Sequence, residues 1–234
     1  MREQDTRTAM LLGAEAISRM QQAHVAVFGI GGVGSFTAEA LARAGIGKLT
    51  LVDNDVVSES NLNRQLVALR STIGMAKTEV MAARIREINP DCLVEIMTRR
   101  YTPQDRDLFF SVSYDYIADA IDSVACKTDL IASALARQIP IISAMGTGNK
   151  LDPSKFVITD LAKTSGCPLA RVMRRELKQL GILHHTVLYS TEPAIKPLFQ
   201  PTEGVTVPGS VSWVPSCAGL MIAGHIIRAL TEQS

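Results

Sequence analysis

The sequence has almost no excess of charge: 24 basic against 23 acidic residues leave +1 at pH 7 and a pI of about 7.7. Nothing in that balance demands a nucleic-acid or membrane partner, so any such case rests on local patches. Cysteine is also sparse. Cys92, Cys126, Cys167 and Cys217 lie far apart, and none forms the C-x-x-C pair of a structural zinc or thioredoxin-like site, so reduced thiols are expected. The opening MREQDTRTAMLLGAEAISRM lacks a continuous apolar core followed by a small-residue cleavage site. It does not read as a secretion signal, and a cytoplasmic location is expected. The most apolar late run, Cys217 to Leu230, is shorter than the roughly 20 residues a membrane span needs. It also holds His225 and Arg228 and reads as a buried helix, so no membrane partner is expected. Internal repeats and low-complexity runs are absent. The single tryptophan, Trp213, reads as a packing residue rather than a base-stacking platform. What remains is 47% hydrophobic content over 234 residues, enough to bury one substantial core and to exclude global disorder.

Strands and helices alternate along the chain. His24 to Ile30 is an apolar run that ends in glycines, and Ser35 to Ala44 after it is rich in alanine and leucine, the pattern of strand, turn and helix. Strand Lys48 to Asp53 and helix Lys77 to Ile88 follow, the helix closed by Asn89-Pro90. The rhythm continues with strand Leu93 to Met97, helix Pro103 to Phe110, strand Tyr116 to Ile121, helix Lys127 to Arg137 and strand Pro140 to Ala144. Parallel neighbours need a crossover helix, so this alternation predicts an α/β fold with a Rossmann-like, doubly wound, mostly parallel sheet. Beyond it come strand Lys155 to Thr159, helix Pro168 to Leu180 and strand Thr186 to Tyr189. A connection over 193–208 carries Pro193, Pro197, Pro201 and Pro208 and reads as a long loop. Ser210 to Val214 reads as an edge strand and Ser216 to Thr231 as the terminal helix. The chain is expected to be one domain, 1–234, with a nucleotide-binding half at 1–150 and a substrate-side half at 151–234 that completes the fold through its C-terminal strand and helix.

Gly29-Ile30-Gly31-Gly32-Val33-Gly34 fits G-x-G-x-x-G between a strand and a helix. There, glycines allow a tight turn and remove the Cβ atoms that block phosphates from a helix N-terminus. Asp53 ends the next strand about 20 residues on, where an acid accepts hydrogen bonds from ribose hydroxyls. These features say nucleotide without saying which. Arg64 in Asn61-Leu62-Asn63-Arg64-Gln65, Lys77, and Asp122 at the end of the fourth strand all fall toward the carboxyl edge of the sheet, the ligand side. Two cations there suit a triphosphate and its leaving pyrophosphate, and Asp122 suits Mg²⁺. Taken singly, each has an ordinary alternative: a solvated surface charge for Arg64 and Lys77, a helix cap for Asp122.

GIGGVG, LVDND, SNLNRQ, GMAKTEV and DAIDS occur in the order and approximate spacing of the ThiF, MoeB and ubiquitin-activating family, and the chain resembles that family across its first half. The resemblance implies adenylation of a carboxylate with ATP-Mg²⁺. It also implies ribose recognition by Asp53, phosphate contacts by Asn61, Arg64, Gln65 and Lys77, and magnesium binding by Asp122. A family arginine that reaches the partner subunit's phosphates matches Arg7, which implies a homodimer. The rest, including EINPDC, IPIISAMGTGNKLDP, CPLARVMRREL and VPSCAGLMIAGHIIR, resembles the branch that acts as bacterial tRNA threonylcarbamoyladenosine dehydratases. That branch implies adenylation of the threonyl carboxylate on the modified adenosine, then cyclising attack by a tethered group, with tRNA as substrate and no catalytic cysteine. The absence of C-x-x-C pairs weakens the alternative, adenylation of the C-terminal glycine of a ubiquitin-like sulfur carrier in a sulfur relay.

A tRNA partner needs local basic surface. On the helix after Pro168, Arg171, Arg174, Arg175 and Lys178 fall on one side, while Leu169, Val172, Met173, Leu177 and Leu180 fall on the other. The stripe is a candidate phosphate-binding face, and a merely solvated face is its ordinary meaning. Cys167, before Pro168, sits where a helix N-terminus favours a thiolate. His184, His185 and His225 have no metal-site spacing and read as structural. Two further rivals are a nucleotide-bound adaptor without turnover and an NAD oxidoreductase, the latter leaving Arg64, Lys77 and Asp122 without a shared purpose.

Overall fold

The computed structural model describes residues 2–201 and 207–232, so 202–206 of the proline-rich connection lie outside the described residues. The apolar runs form strands β1 (His24–Phe28), β2 (Lys48–Val52), β3 (Leu93–Met97), β4 (Tyr116–Asp119), β5 (Ile141–Ala144), β6 (Phe156–Asp160) and β7 (Thr186–Ser190). They make one seven-stranded sheet of order β3-β2-β1-β4-β5-β7-β6. Every pairing is parallel except that of β6 with β7. The helices are α1 (Thr6–Leu12), α2 (Ala14–Gln22), α3 (Gly34–Ala44), α4 (Lys77–Ile88), α5 (Arg106–Phe109), α6 (Val124–Ala136), α7 (Pro168–Gln179) and α8 (Trp213–Thr231).

β1 is buried at every position, as an interior strand of a sheet covered on both faces must be. Its alternation sends Val25 and Val27 into one core with Met20, Leu41, Met81 and Ile222 from α2, α3, α4 and α8. Ala26 and Phe28 point into the other, with Phe109, Leu130, Met173 and Leu177 from α5, α6 and α7. The sheet is therefore doubly wound, as the alternation predicts. Chain order reverses at β1, with β2 and β3 on one side and β4 and β5 on the other. That reversal opens a crevice beyond the strands' carboxyl ends.

Three elements differ from the sequence reading. Ser210 to Val214 is not an edge strand. Its start is held against the crevice loop, where Asn63 Nδ2 donates to the Ser210 carbonyl at 3.0 Å, and α8 already begins at Trp213. Pro215 lies in the first helical turn, where its missing N–H breaks no intrahelical bond, so the helix starts ahead of the expected Ser216. The N-terminal pair α1 and α2 is the second difference. None of the residues of α1 is buried, so its apolar residues mark no core face, and Gly13 at φ 85° separates it from α2. Finally, Pro103 to Phe110 splits into a 3₁₀ turn at Pro103–Asp105 followed by α5.

By length and composition α8, at 19 residues, is apolar enough to cross a membrane and is longer than the late apolar run suggested. Val214, Ala218, Ile222 and Ile226 are nevertheless fully buried. Contact with α3 is close at Gly219, where an added Cβ would lie 2.3 Å from the Val33 carbonyl oxygen. Thr37 Oγ1 also donates to the Gly219 carbonyl at 3.1 Å. This is the position of a core helix.

Candidate nucleotide site

The crevice at the chain reversal holds a cavity of about 650 Å³, within the range of small-molecule sites. The four glycines divide the work. Gly29, at φ +88°, could carry no Cβ, which would fall 2.6 Å from the Ala120 carbonyl oxygen, and a Cβ on Gly34 would fall 1.7 Å from that of Gly29. These two make the turn and bring α3 onto β1. Gly29, Gly31 and Gly32 line the cavity. Gly31 is open, its nearest neighbour being Gln65 Nε2 at 3.8 Å from an ideal Cβ.

Asp53 ties the second strand end to this loop. Its Oδ2 accepts from the Ile30 N–H at 2.6 Å and its Oδ1 from the Asp55 N–H at 2.8 Å. A carboxylate offers about four acceptor sites, so two remain for a ribose. Asn61 Oδ1 accepts from the Ser58 N–H at 3.1 Å and closes a capping box, which leaves its amide nitrogen for a ligand. Arg64 donates from Nη1 to the Ser60 carbonyl and to Asn63 Oδ1, both at 2.9 Å. Gln65 is buried, and its amide oxygen has no hydrogen-bond partner among the described residues. An orphaned polar atom in a cavity wall is a place for a ligand or water.

Lys77, the first residue of α4, is only 5% exposed, and its Nζ meets Asp55 Oδ2 at 2.8 Å. It is not a solvated surface charge. Asp122 is exposed, lines the cavity and has no side-chain partner among the described residues. It is not the cap of α6 either: Ser123 is the N-cap residue, and no side-chain capping bond forms there. The cavity thus gathers Gly29, Gly31, Gly32, Asp53, Asn61, Arg64, Gln65, Lys77 and Asp122.

Several lining residues have no motif of their own. Asp55 is legible only as a letter within LVDND. Arg99, Arg100 and Tyr101 follow β3, and their one signal is a place just past a strand's carboxyl end. Tyr101 is held by Asp129, whose Oδ2 accepts from the phenol at 2.7 Å, and burial with that neighbour keeps the hydroxyl protonated. Pro215 of α8 and Ser210 close the cavity from the C-terminal side.

Other expected residues lie elsewhere. Arg7 is exposed on α1, outside the cavity. None of Arg171, Arg174, Arg175 and Lys178 lines it. Within that stripe Arg174 Nη1 donates to the Thr164 carbonyl at 2.8 Å and also to its hydroxyl. Arg175 pairs with Glu176 at 2.7 Å. Arg171 and Lys178 are exposed without side-chain partners among the described residues. Leu180, expected on the buried side, is 56% exposed because α7 ends at Gln179. Cys167 is buried, and Cys126, also buried, lines the cavity.

By architecture this is a nucleotide-binding α/β protein, with its ligand crevice at the switch point of the sheet. The family is narrower: the ThiF family model matches residues 5–234, and the chain belongs to that family. It is 41% identical over 244 residues to the tRNA threonylcarbamoyladenosine dehydratase of Bacillus subtilis (strain 168), over 99% of this chain and 96% of the relative. Against the Escherichia coli (strain K12) enzyme of the same name, identity is 46% over 198 residues, covering 81% of this chain and 74% of that one. The crystal structure of E. coli tRNA N6-threonylcarbamoyladenosine dehydratase, TcdA, in complex with ATP matches with a TM-score of 0.90 at 40% identity. That match covers 98% of this chain and 94% of the other.

Proposed function

We propose that the chain is an ATP-dependent tRNA threonylcarbamoyladenosine dehydratase. Convergence of Arg64, buried Lys77 and uncommitted Asp122 on one glycine-lined cavity carries this reading, since hydride transfer has no use for such a set. The substrate is the one for which its relatives are named. In the first step a threonyl carboxylate oxygen attacks the α-phosphorus of ATP and the bond to pyrophosphate breaks. Lys77 and Arg64 neutralise the charge that leaves, while Asp53 holds the ribose. In the second step the tethered carbamoyl group attacks the acyl carbon, AMP departs with the former carboxylate oxygen, and a proton is lost. The tRNA loses one water in all. Tethering makes orientation the main demand on the protein, and no thiol is required.

Magnesium fits this site. Asp122 offers a free carboxylate, and Mg²⁺ is usually held by one or two carboxylates together with substrate phosphates and water. No group of three or more His, Cys, Asp or Glu side chains forms a cage among the described residues. When bound, the ion would draw charge from the phosphates of ATP.

The same reading makes the enzyme a homodimer in which Arg7 reaches the other subunit's phosphates. Support comes from α1, which carries Arg7 and exposes Met10 at 79% and Leu11 at 87%, an apolar surface that a second copy would cover. Incubation of the pure protein with ATP-Mg²⁺ and threonylcarbamoylated tRNA should yield AMP and a nucleoside lighter by one water in mass spectrometry. AMP formation stimulated by a ubiquitin-like protein, and not by the tRNA, would overturn the reading in favour of a sulfur-carrier substrate.

A further inference from the structure

Directly behind the turn that carries Asp122 lies a pair of charges taken wholly out of water. Lys127 Nζ and Asp119 Oδ2 are 2.8 Å apart, and both side chains are 0% exposed. Desolvating two charges is costly, and their attraction offsets the cost only when further hydrogen bonds satisfy the group. Those bonds are present. Ser143 Oγ donates to the same Asp119 oxygen at 2.6 Å, which uses the hydroxyl proton. His185 Nε2, 2.8 Å from Ser143 Oγ, must then be the donor in that contact. Burial pushes the His185 pKa down to about 4, so the ring is neutral.

The remaining Asp119 oxygen holds the turn: Oδ1 accepts from the Ile121 N–H at 3.0 Å. Asp119 ends β4, and the Ala120 N–H donates to the Phe28 carbonyl beside the glycine loop at 2.8 Å. At the other end of the turn, the Lys127 N–H donates to the Ser123 carbonyl at 2.8 Å. The buried pair thus joins the strand end before 120–123 to the helix after it, Asp119 alone reaches into the turn through Ile121, and Asp122 stands in that turn with no partner of its own among the described residues. We propose that Asp119, its carboxylate neutralised by Lys127, is a positioning residue that fixes this turn so that Asp122 faces the nucleotide phosphates. The inference rests on the assignment of Asp122 made above. An apolar pair would fill the same volume, but it would leave the Ile121 N–H without its acceptor.

Two double variants separate positioning from packing. Asp119→Leu/Lys127→Met removes the charges and the acceptor, whereas Asp119→Asn/Lys127→Met removes the charges and keeps an oxygen for Ile121. Calorimetry of ATP-Mg²⁺ binding and initial rates of AMP formation are read on the folded fraction. The leucine variant should bind ATP-Mg²⁺ about tenfold more weakly and lose about 10² in kcat, the scale of a 1 Å misplacement. The asparagine variant should recover most of both. Wild-type affinity and kcat in the leucine variant, or equal losses in the two, would overturn the proposal. If the leucine variant does not fold, Ser143→Ala replaces it: a lower kcat at unchanged melting temperature supports positioning, and unchanged kcat and affinity overturn it. Asp122→Ala is measured in parallel. Its loss of adenylation beside a normal leucine variant removes the pair alone, while normal behaviour of Asp122→Ala removes the assignment beneath it as well.

Discussion

Lys77 is the cation in the crevice whose surroundings most restrict its use. Its stem is buried, and its ammonium meets a carboxylate that is itself 58% exposed, so the pair is screened on one side and contributes little to stability. An arriving triphosphate can compete for the ammonium without leaving a buried charge behind. Lys77→Ala should therefore fold and yet lose adenylation by about 10²–10³, the usual loss for one preorganised transition-state contact. Asp55→Asn should cost much less, because it removes only the resting partner. AMP formation near the wild-type rate in folded Lys77→Ala would take the residue out of the mechanism. Sequence spacing could place Lys77 at the ligand edge, but not bury it or name Asp55, because a pairing made across a loop has no period. The glycines show the same limit. Their motif is legible, while the distinction between Gly29 and Gly34, which admit no Cβ against backbone, and Gly31, where one would have room, exists only in three dimensions.

Helix α7 and the start of β7 show what an element adds to its residues. Periodicity assigned α7 an apolar and a basic face, and Met173 and Leu177 are indeed buried, yet it could not say which arginines are already engaged. Arg174 is bound to Thr164 ahead of the helix, and Arg175 to Glu176. Arg171→Gln/Lys178→Gln should thus weaken tRNA binding and lower the log–log salt slope by roughly 0.7–0.9 per lost phosphate contact. Glutamine keeps the helix, since its propensity is close to that of arginine and lysine. Arg174→Gln should act mainly on stability. Filter binding across a salt series decides between them, and an unchanged slope in the double variant would make the stripe a solvated face. His185, just before β7, carries a pH prediction. Its ring is held neutral with a pKa of about 4, mainly by burial, whereas in the unfolded chain it titrates near 6.5. Its contribution is complete above pH ~6.5 and is lost as the pH falls toward 4, because the unfolded chain takes up the proton first. The loss amounts to ~3 kcal/mol. His185→Gln keeps an N–H for Ser143 and should flatten that part of the pH–stability curve in urea titrations. The same slope in the variant would place the acid sensitivity elsewhere.

For the molecule as a whole, most of the parallel sheet was legible because β1 to β4 are short apolar runs, each with a helix before the next strand. The C-terminal part was less so. Ser210 to Val214 has the composition of a strand, but side-chain bonds such as that from Asn63 to the Ser210 carbonyl hold its start across the cavity, and the helix begins early. Helix α1 was invisible because none of its residues is buried in the chain itself. A helix of seven residues is marginal alone, and the proposed homodimer would cover the exposed Met10 and Leu11. In the proposed homodimer Arg7 serves the other copy's crevice, which makes each active site composite. Arg7→Ala and Arg64→Ala should then each be impaired as pure proteins. In a mixed dimer of the two, one crevice draws both arginines from unmutated positions while the other has neither. Up to half of the wild-type turnover should return, following the fraction of mixed dimers verified by differential tagging. Recovery of nothing in a verified mixed dimer would mean that Arg7 serves its own subunit's site or none.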